Sequence, residues 1–139
     1  MDKYWFPAVF ESCSEGGYSV TFPDLPGIVT EGDTIEDALV MAKDALELHL
    51  YGMEKDQEEI PCPSFPSKIQ PSDGAFVSII EAWMPLVREQ MLSKAVKKTL
   101  TIPQWLNEIA EEKKVNYSQI LQLALKEHLD VKEPSYLKK

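Results

Sequence analysis

The chain has 139 residues, a formal net charge of -9, 44% apolar residues and two cysteines, which allows one ordinary domain or two small ones. No stretch approaches 18 uninterrupted apolar residues, and no basic start leads into an apolar segment, so neither a membrane span nor a secretory leader is expected, and a cytoplasmic protein is. Cys13 and Cys62 form neither a disulfide framework nor a metal spacing and read as free thiols in a reducing compartment.

Lys3–Glu11 places Tyr4, Phe6, Ala8 and Phe10 at alternate positions and predicts a strand. Gly16-Gly17 is a turn, and Tyr18–Phe22 alternates Tyr18, Val20 and Phe22 against Ser19 and Thr21. Together they predict a hairpin with one buried face. Pro23-Asp24-Leu25-Pro26-Gly27 is a loop, because prolines supply no ladder donors. Ile28–Glu31 follows as a third short strand. A helix then begins at Asp33 or Thr34; Asp33 has Glu36 three residues on and Thr34 has Asp37, and either pair fits a cap. Ile35, Ala38, Leu39, Ala42, Ala45, Leu46, Leu50 and Met53 form its apolar stripe. Gly52 suits the left-handed position that ends a helix. The acidic run Glu54–Glu59 and Pro61, Pro63, Pro66 and Pro71 predict an extended loop. Ala75–Ala82 reads as a strand apolar enough to be central. Met84–Leu92 is compatible with a helix, with Pro85 in its first turn.

The charge is divided. Residues 1–93 carry a net -12 and residues 94–139 a net +3. Such asymmetry points to two halves with different partners. The expected domains are 1–82, a linker at 83–95, and 96–139. In Val96–Ile102, Val96, Leu100 and Ile102 share one side with the stem of Lys98, while Lys97, Thr99 and Thr101 share the other. Pro103 opens a helix carrying Leu106, Ile109 and Ala110. Asn116 with Gln119 fits the start of a second helix, whose stripe is Ile120, Leu121, Ala124, Leu125 and His128. A strand and two short helices cannot close a core alone. The segment looks built for completion by an identical copy, and a two-stranded ribbon fits a DNA major groove about 12 Å wide.

The strand, Pro103 and the two helices resemble the ribbon-helix-helix DNA-binding family across residues 96–129. That resemblance implies an intertwined homodimer. Lys97, Thr99 and Thr101 would enter the major groove, and the Asn116-Tyr117-Ser118 helix start would hold phosphate. Lys114 stands in the turn between the helices, where the family often has Gly. The stretches Gly17–Gly27 and Thr30–Leu39, with Phe-Pro-Asp-Leu-Pro-Gly and Thr-Glu-Gly-Asp-Thr at their centres, are similar to the HicB family of type II antitoxins. This resemblance covers roughly residues 4–82. It implies an α+β chain: an N-terminal β-β-β-α-β ribonuclease-H-like domain followed by the C-terminal β-α-α ribbon-helix-helix domain. It further implies neutralisation of a HicA-type mRNA-cleaving ribonuclease and repression of the chain's own operon through operator DNA. Asp24, Glu31 and Asp33, near loops of the acidic domain, are candidates for the toxin surface. Dimer and tetramer both remain open.

Two other readings compete. Asp24, Glu31, Asp33, Glu36 and Asp37 are five carboxylates within 14 positions, and clustered carboxylates can hold divalent metals for phosphodiester hydrolysis. Catalytic carboxylates in such folds converge from several strands, however, whereas Glu31 to Asp37 surround one helix start that favours acids anyway. His49 and His128 read as packing residues rather than ligands or bases. The expectation is therefore no enzyme activity, no metal and no cofactor. A stand-alone repressor whose acidic domain docks something else is the other alternative.

Overall fold

The computed structural model describes residues 1–132. The last residues of the sequence-based second domain, 133–139, lie outside the described residues. The chain divides into two compact units, Met1–Leu92 and a second that begins at Ser93. The whole is a mixed α+β structure with a four-stranded antiparallel sheet and four α-helices among the described residues.

In the first unit the elements are β1 (Lys3–Ser12), β2 (Tyr18–Thr21), β3 (Val29–Gly32), α1 (Ile35–Lys55), β4 (Phe76–Trp83) and α2 (Met84–Ser93). The strand order is β3-β2-β1-β4. The hairpin forms as its alternation requires: Phe10 faces Val20 and Ser12 faces Tyr18 across the β1–β2 ladder. Pro7 lacks a donor, and it lies on the stretch of β1 that β2 does not reach, since that ladder begins at Val9.

One face of the sheet carries the core. Phe6, Ala8 and Phe10 of β1, Val20 of β2, and Ile80 and Ala82 of β4 are buried against Ala38, Ala42, Leu46 and Leu50 of α1. The two alanines spaced by four let the helix backbone approach the strands, and the two leucines fill the widening space behind them. Thr34 is the residue that caps α1, accepting the Asp37 N–H on its hydroxyl at 3.1 Å. Phe10 and Phe76 stack across β1 and β4, with ring centroids 5.0 Å apart.

Three expectations are corrected. β4 is an edge strand, paired with β1 alone; Ile80 and Ala82 face the core, while Ile79 and Trp83 on its other side remain about half exposed. An apolar run is compatible with either place, so composition does not separate them. Secondly, α1 does not end at Gly52 but runs to Lys55. Gln57 takes the left-handed turn at φ 59°. The Glu58 N–H reaches the Met53 carbonyl and the Gln57 N–H the Glu54 carbonyl, the paired closure of a Schellman motif. Thirdly, Trp83–Leu92 is not linker. Trp83 ends β4, and Met84 and Val87 of α2 are buried in the first unit's core.

The second unit contains α3 (Gln104–Glu112) and α4 (Tyr117–Leu129). Residues 96–102 form no strand in the single chain. A strand is defined by its ladder, and here no second segment supplies one.

Candidate functional site

Among the described residues from 93 to 132, none is buried. Val96 is 79% exposed, Leu100 63%, Trp105 64% and Ile120 51%. These side chains are spaced as a core, yet no core encloses them. Unfavourable hydration of so much clustered apolar surface is relieved only by covering it.

Lys97, Thr99 and Thr101 lie exposed on the unpaired segment that precedes α3. The first turn of α3 closes on the Pro103 carbonyl, which accepts from the Leu106 and Asn107 N–H groups. Asn116 caps α4; its side-chain oxygen accepts the Gln119 N–H at 3.1 Å. The amides of Tyr117 and Ser118 are in the first turn, where no intrahelical carbonyl is in reach. They form a donor pair at the positive end of the helix. The Tyr117 hydroxyl donates to the Asn107 side-chain oxygen at 3.0 Å and ties the two helices together. Asn116→Ala is expected to lower the stability of this unit by about 1 kcal/mol; thermal melts with and without the substitution measure it, and an unchanged midpoint would show that the cap contributes nothing.

Lys114 adopts φ 54°. The Lys114 N–H pairs with the Glu111 carbonyl and the Val115 N–H with the Ala110 carbonyl. The turn between α3 and α4, where the sequence resemblance leads one to expect Gly, is made by Lys114 in the left-handed conformation.

The acidic candidates separate. Asp24 is half-buried and occupied: one carboxylate oxygen accepts the Ser64 N–H at 2.9 Å and the other its hydroxyl at 2.5 Å. It anchors the long loop after α1. Glu31 on β3 and Asp33 just beyond it are exposed. Among the described residues no group of three or more His, Cys, Asp or Glu is placed to hold a metal ion. Cys13 and Cys62 are free thiols, and no described helix is long and apolar enough to cross a membrane.

Sequence reading missed the knot around Arg88. Its guanidinium spans both oxygens of Glu54, at 3.1 and 2.6 Å, and reaches Asp2 at 2.6 Å and the Met1 carbonyl at 2.7 Å. Its hydrogen bonds to Glu54 first and to Asp2 second push its pKa still higher than the ordinary arginine value. The knot ties the chain start, the end of α1 and α2 beside an open groove of about 650 Å³ that Tyr4, Tyr51 and Ile60 also line. Burial, more than the nearby Glu54, raises the pKa of the Tyr4 phenol. The one signal in the sequence was that Arg88 is the sole arginine in the chain.

Comparison with known proteins gives a consistent picture. The family described as HicB-like antitoxin of bacterial toxin-antitoxin system matches residues 6–124. Antitoxin HicB 1 of Photorhabdus laumondii subsp. laumondii is 48% identical over 58 residues, which is 42% of this chain and 37% of that protein. The chain thus aligns with well under half the length of that relative. A chain of a toxin-antitoxin complex from Streptococcus pneumoniae superposes with a TM-score of 0.60 at 26% identity, covering 91% of this chain and 99% of that one. The antitoxin HicB of Burkholderia pseudomallei superposes at 0.52 with 25% identity, covering 91% and 98%.

Proposed function

The chain belongs to the HicB-like antitoxins of bacterial toxin-antitoxin systems, and from that premise we propose that it performs two tasks with its two units. The first unit binds and neutralises a HicA-type mRNA-cleaving ribonuclease. The second dimerises and represses the operon by binding operator DNA.

The observation that carries the second task is the absence of any buried residue between 93 and 132. Two copies resolve it in one step. Their 96–102 segments pair as an antiparallel ribbon, and Val96, Leu100 and Ile102 turn onto the stripes of α3 and α4. Each copy supplies the ladder the other lacks. Lys97, Thr99 and Thr101 then stand on the open face of the ribbon. That face is compact and polar and enters a major groove. The Tyr117 and Ser118 amides flank it and take phosphate oxygens. A symmetric dimer reads a palindromic operator.

Charge supports the first task. A ribonuclease that holds RNA is basic, and residues 1–93 carry a net -12. Their summed field draws the two proteins together and speeds encounter. Glu31 and Asp33 are free to face such a partner; Asp24 contributes through the loop it anchors. Occupation of the RNA surface excludes the substrate without any chemistry by the antitoxin.

Thr99→Ala and Thr101→Ala test the reading of the ribbon. Each is expected to lose roughly 1–3 kcal/mol of discrimination at particular operator bases, measured by titrating the full chain on operator variants. Equal weakening on every sequence refutes base reading. A chain ending after Leu92 tests the division of labour. It is expected to inhibit the ribonuclease and to leave operator DNA unbound. The cut belongs there rather than after Ala82, because Met84 and Val87 complete the core.

A further inference from the structure

The helix α1 has a second apolar face. Its inner side buries Ala38, Ala42, Leu46 and Leu50, and an amphipathic helix is expected to be polar opposite such a stripe. Instead Val40 is 59% exposed, Met41 44% and Leu48 59%. Together with Asp37 and Asp44 they recur at i, i+3, i+4, i+7 and i+11, the seam of a helix that packs on both sides. Glu36 and Glu47 lie along its rim, Glu47 paired with Lys43 at 3.6 Å, so the uncompensated charge of the seam is that of Glu36, Asp37 and Asp44.

Gly52 is the second observation. It continues this seam four residues beyond Leu48, inside the helix. Its backbone is not left-handed, and a Cβ built there meets nothing within 4 Å. A glycine within a helix is a net cost. Here neither conformation nor packing within the chain accounts for it. Close approach of an outside backbone would account for it.

We propose that Val40, Met41 and Leu48, framed by Asp37 and Asp44, are the surface on which the basic ribonuclease docks, with Gly52 as the point of closest backbone approach. The proposal rests on the toxin-binding reading above and locates it on α1. The occupant follows from charge. A second copy would set acidic rim against acidic rim. A cationic protein face with an apolar centre matches the seam in both respects.

The experiment measures binding of the full chain to a HicA-type ribonuclease, purified in a catalytically inactive form. Met41→Glu and Leu48→Glu, both on exposed positions that the fold does not need, are expected to weaken binding about 10- to 100-fold. Ile79→Ser, on the opposite side of the sheet, is expected to leave it unchanged. Gly52→Ala gives a readout of opposite sign. It is expected to raise the melting temperature of the free chain by roughly 3–6 °C and to weaken binding. If the unsubstituted chain does not bind, the toxin reading itself is overturned. If it binds and the seam variants bind equally well, the docking surface alone is overturned. The same holds if Leu48→Glu changes the mass of the free chain without changing toxin affinity, which would assign the seam to contacts between copies.

Discussion

A chain carrying Ile120→Asp is expected to lose its dimer and its hold on operator DNA together. Ile120 lies on the α4 stripe and is half exposed in the single chain. In the proposed dimer that stripe is the core. Removing one buried isoleucine costs roughly 1.5–3 kcal/mol, and leaving a carboxylate in its place adds the cost of desolvating it. Symmetry makes the change enter twice. The dimer dissociation constant should therefore rise about 10³-fold or more. Sedimentation equilibrium reads the mass, and a gel shift on operator DNA reads the function. Far-UV circular dichroism adds a third check: the signal of α3 and α4 should fall, because nothing in one copy encloses them, while the first unit keeps its own melting transition. A variant that keeps the mass of the unsubstituted chain and still shifts operator would show that the copies meet elsewhere.

The two helices of the tail were legible because their signals are local. Pro103 and the Asn116 cap each act within a few residues, and the structure places both helices where those signals set them. The strand expected at 96–102 is different: no ladder forms in the single chain. In the first unit the hairpin and the helix stripe were readable for the same local reason. The errors came where two solutions share one composition. Val77, Ile79 and Ile80 fit a central strand as well as an edge strand. Gly52 fits a helix end, yet Gln57, Lys114 and Asp130 make the left-handed turns. These residues, unbranched at Cβ, take that conformation because the backbone hydrogen bonds that close the helix end hold it. Asp24 and Ser64 are 40 residues apart, and Arg88 meets Asp2 across 86. No spacing rule foretells such pairs. The α1 seam was hidden for another reason. Its apolar residues interleave in sequence with the core stripe, and reading for one stripe left Val40, Met41 and Leu48 unassigned.

Gly32→Ala is expected to destabilise the first unit more than any change on its surface. Gly32 ends β3, where the chain turns into α1. It pairs with Tyr18 across the β2–β3 ladder, so its backbone is fixed on one side by the sheet. On the other side lies the first turn of α1. A Cβ at this position would sit 2.3 Å from the Ala38 nitrogen, 2.6 Å from its Cα and 2.7 Å from the Asp37 carbonyl carbon. All three are backbone atoms, so no side chain can swing aside. Its φ is not the reason for glycine here; the reason is contact. Either the helix start moves by about 1 Å or the β3 end leaves its ladder. The first option pulls Ala38 and Ala42 off the sheet, and both are fully buried. The Thr34 cap moves with the helix, since it is only two residues away. Overpacking of this kind costs about 3 kcal/mol, which for a unit of this size lowers the melting temperature by roughly 12–24 °C. The effect is measured by a thermal melt of the full chain, and tail-dependent operator binding at low temperature serves as the internal control. If the melting temperature falls by less than about 4 °C, the helix start yields more easily than its backbone contacts imply, and the close packing of β3 against α1 does not set the stability of this unit.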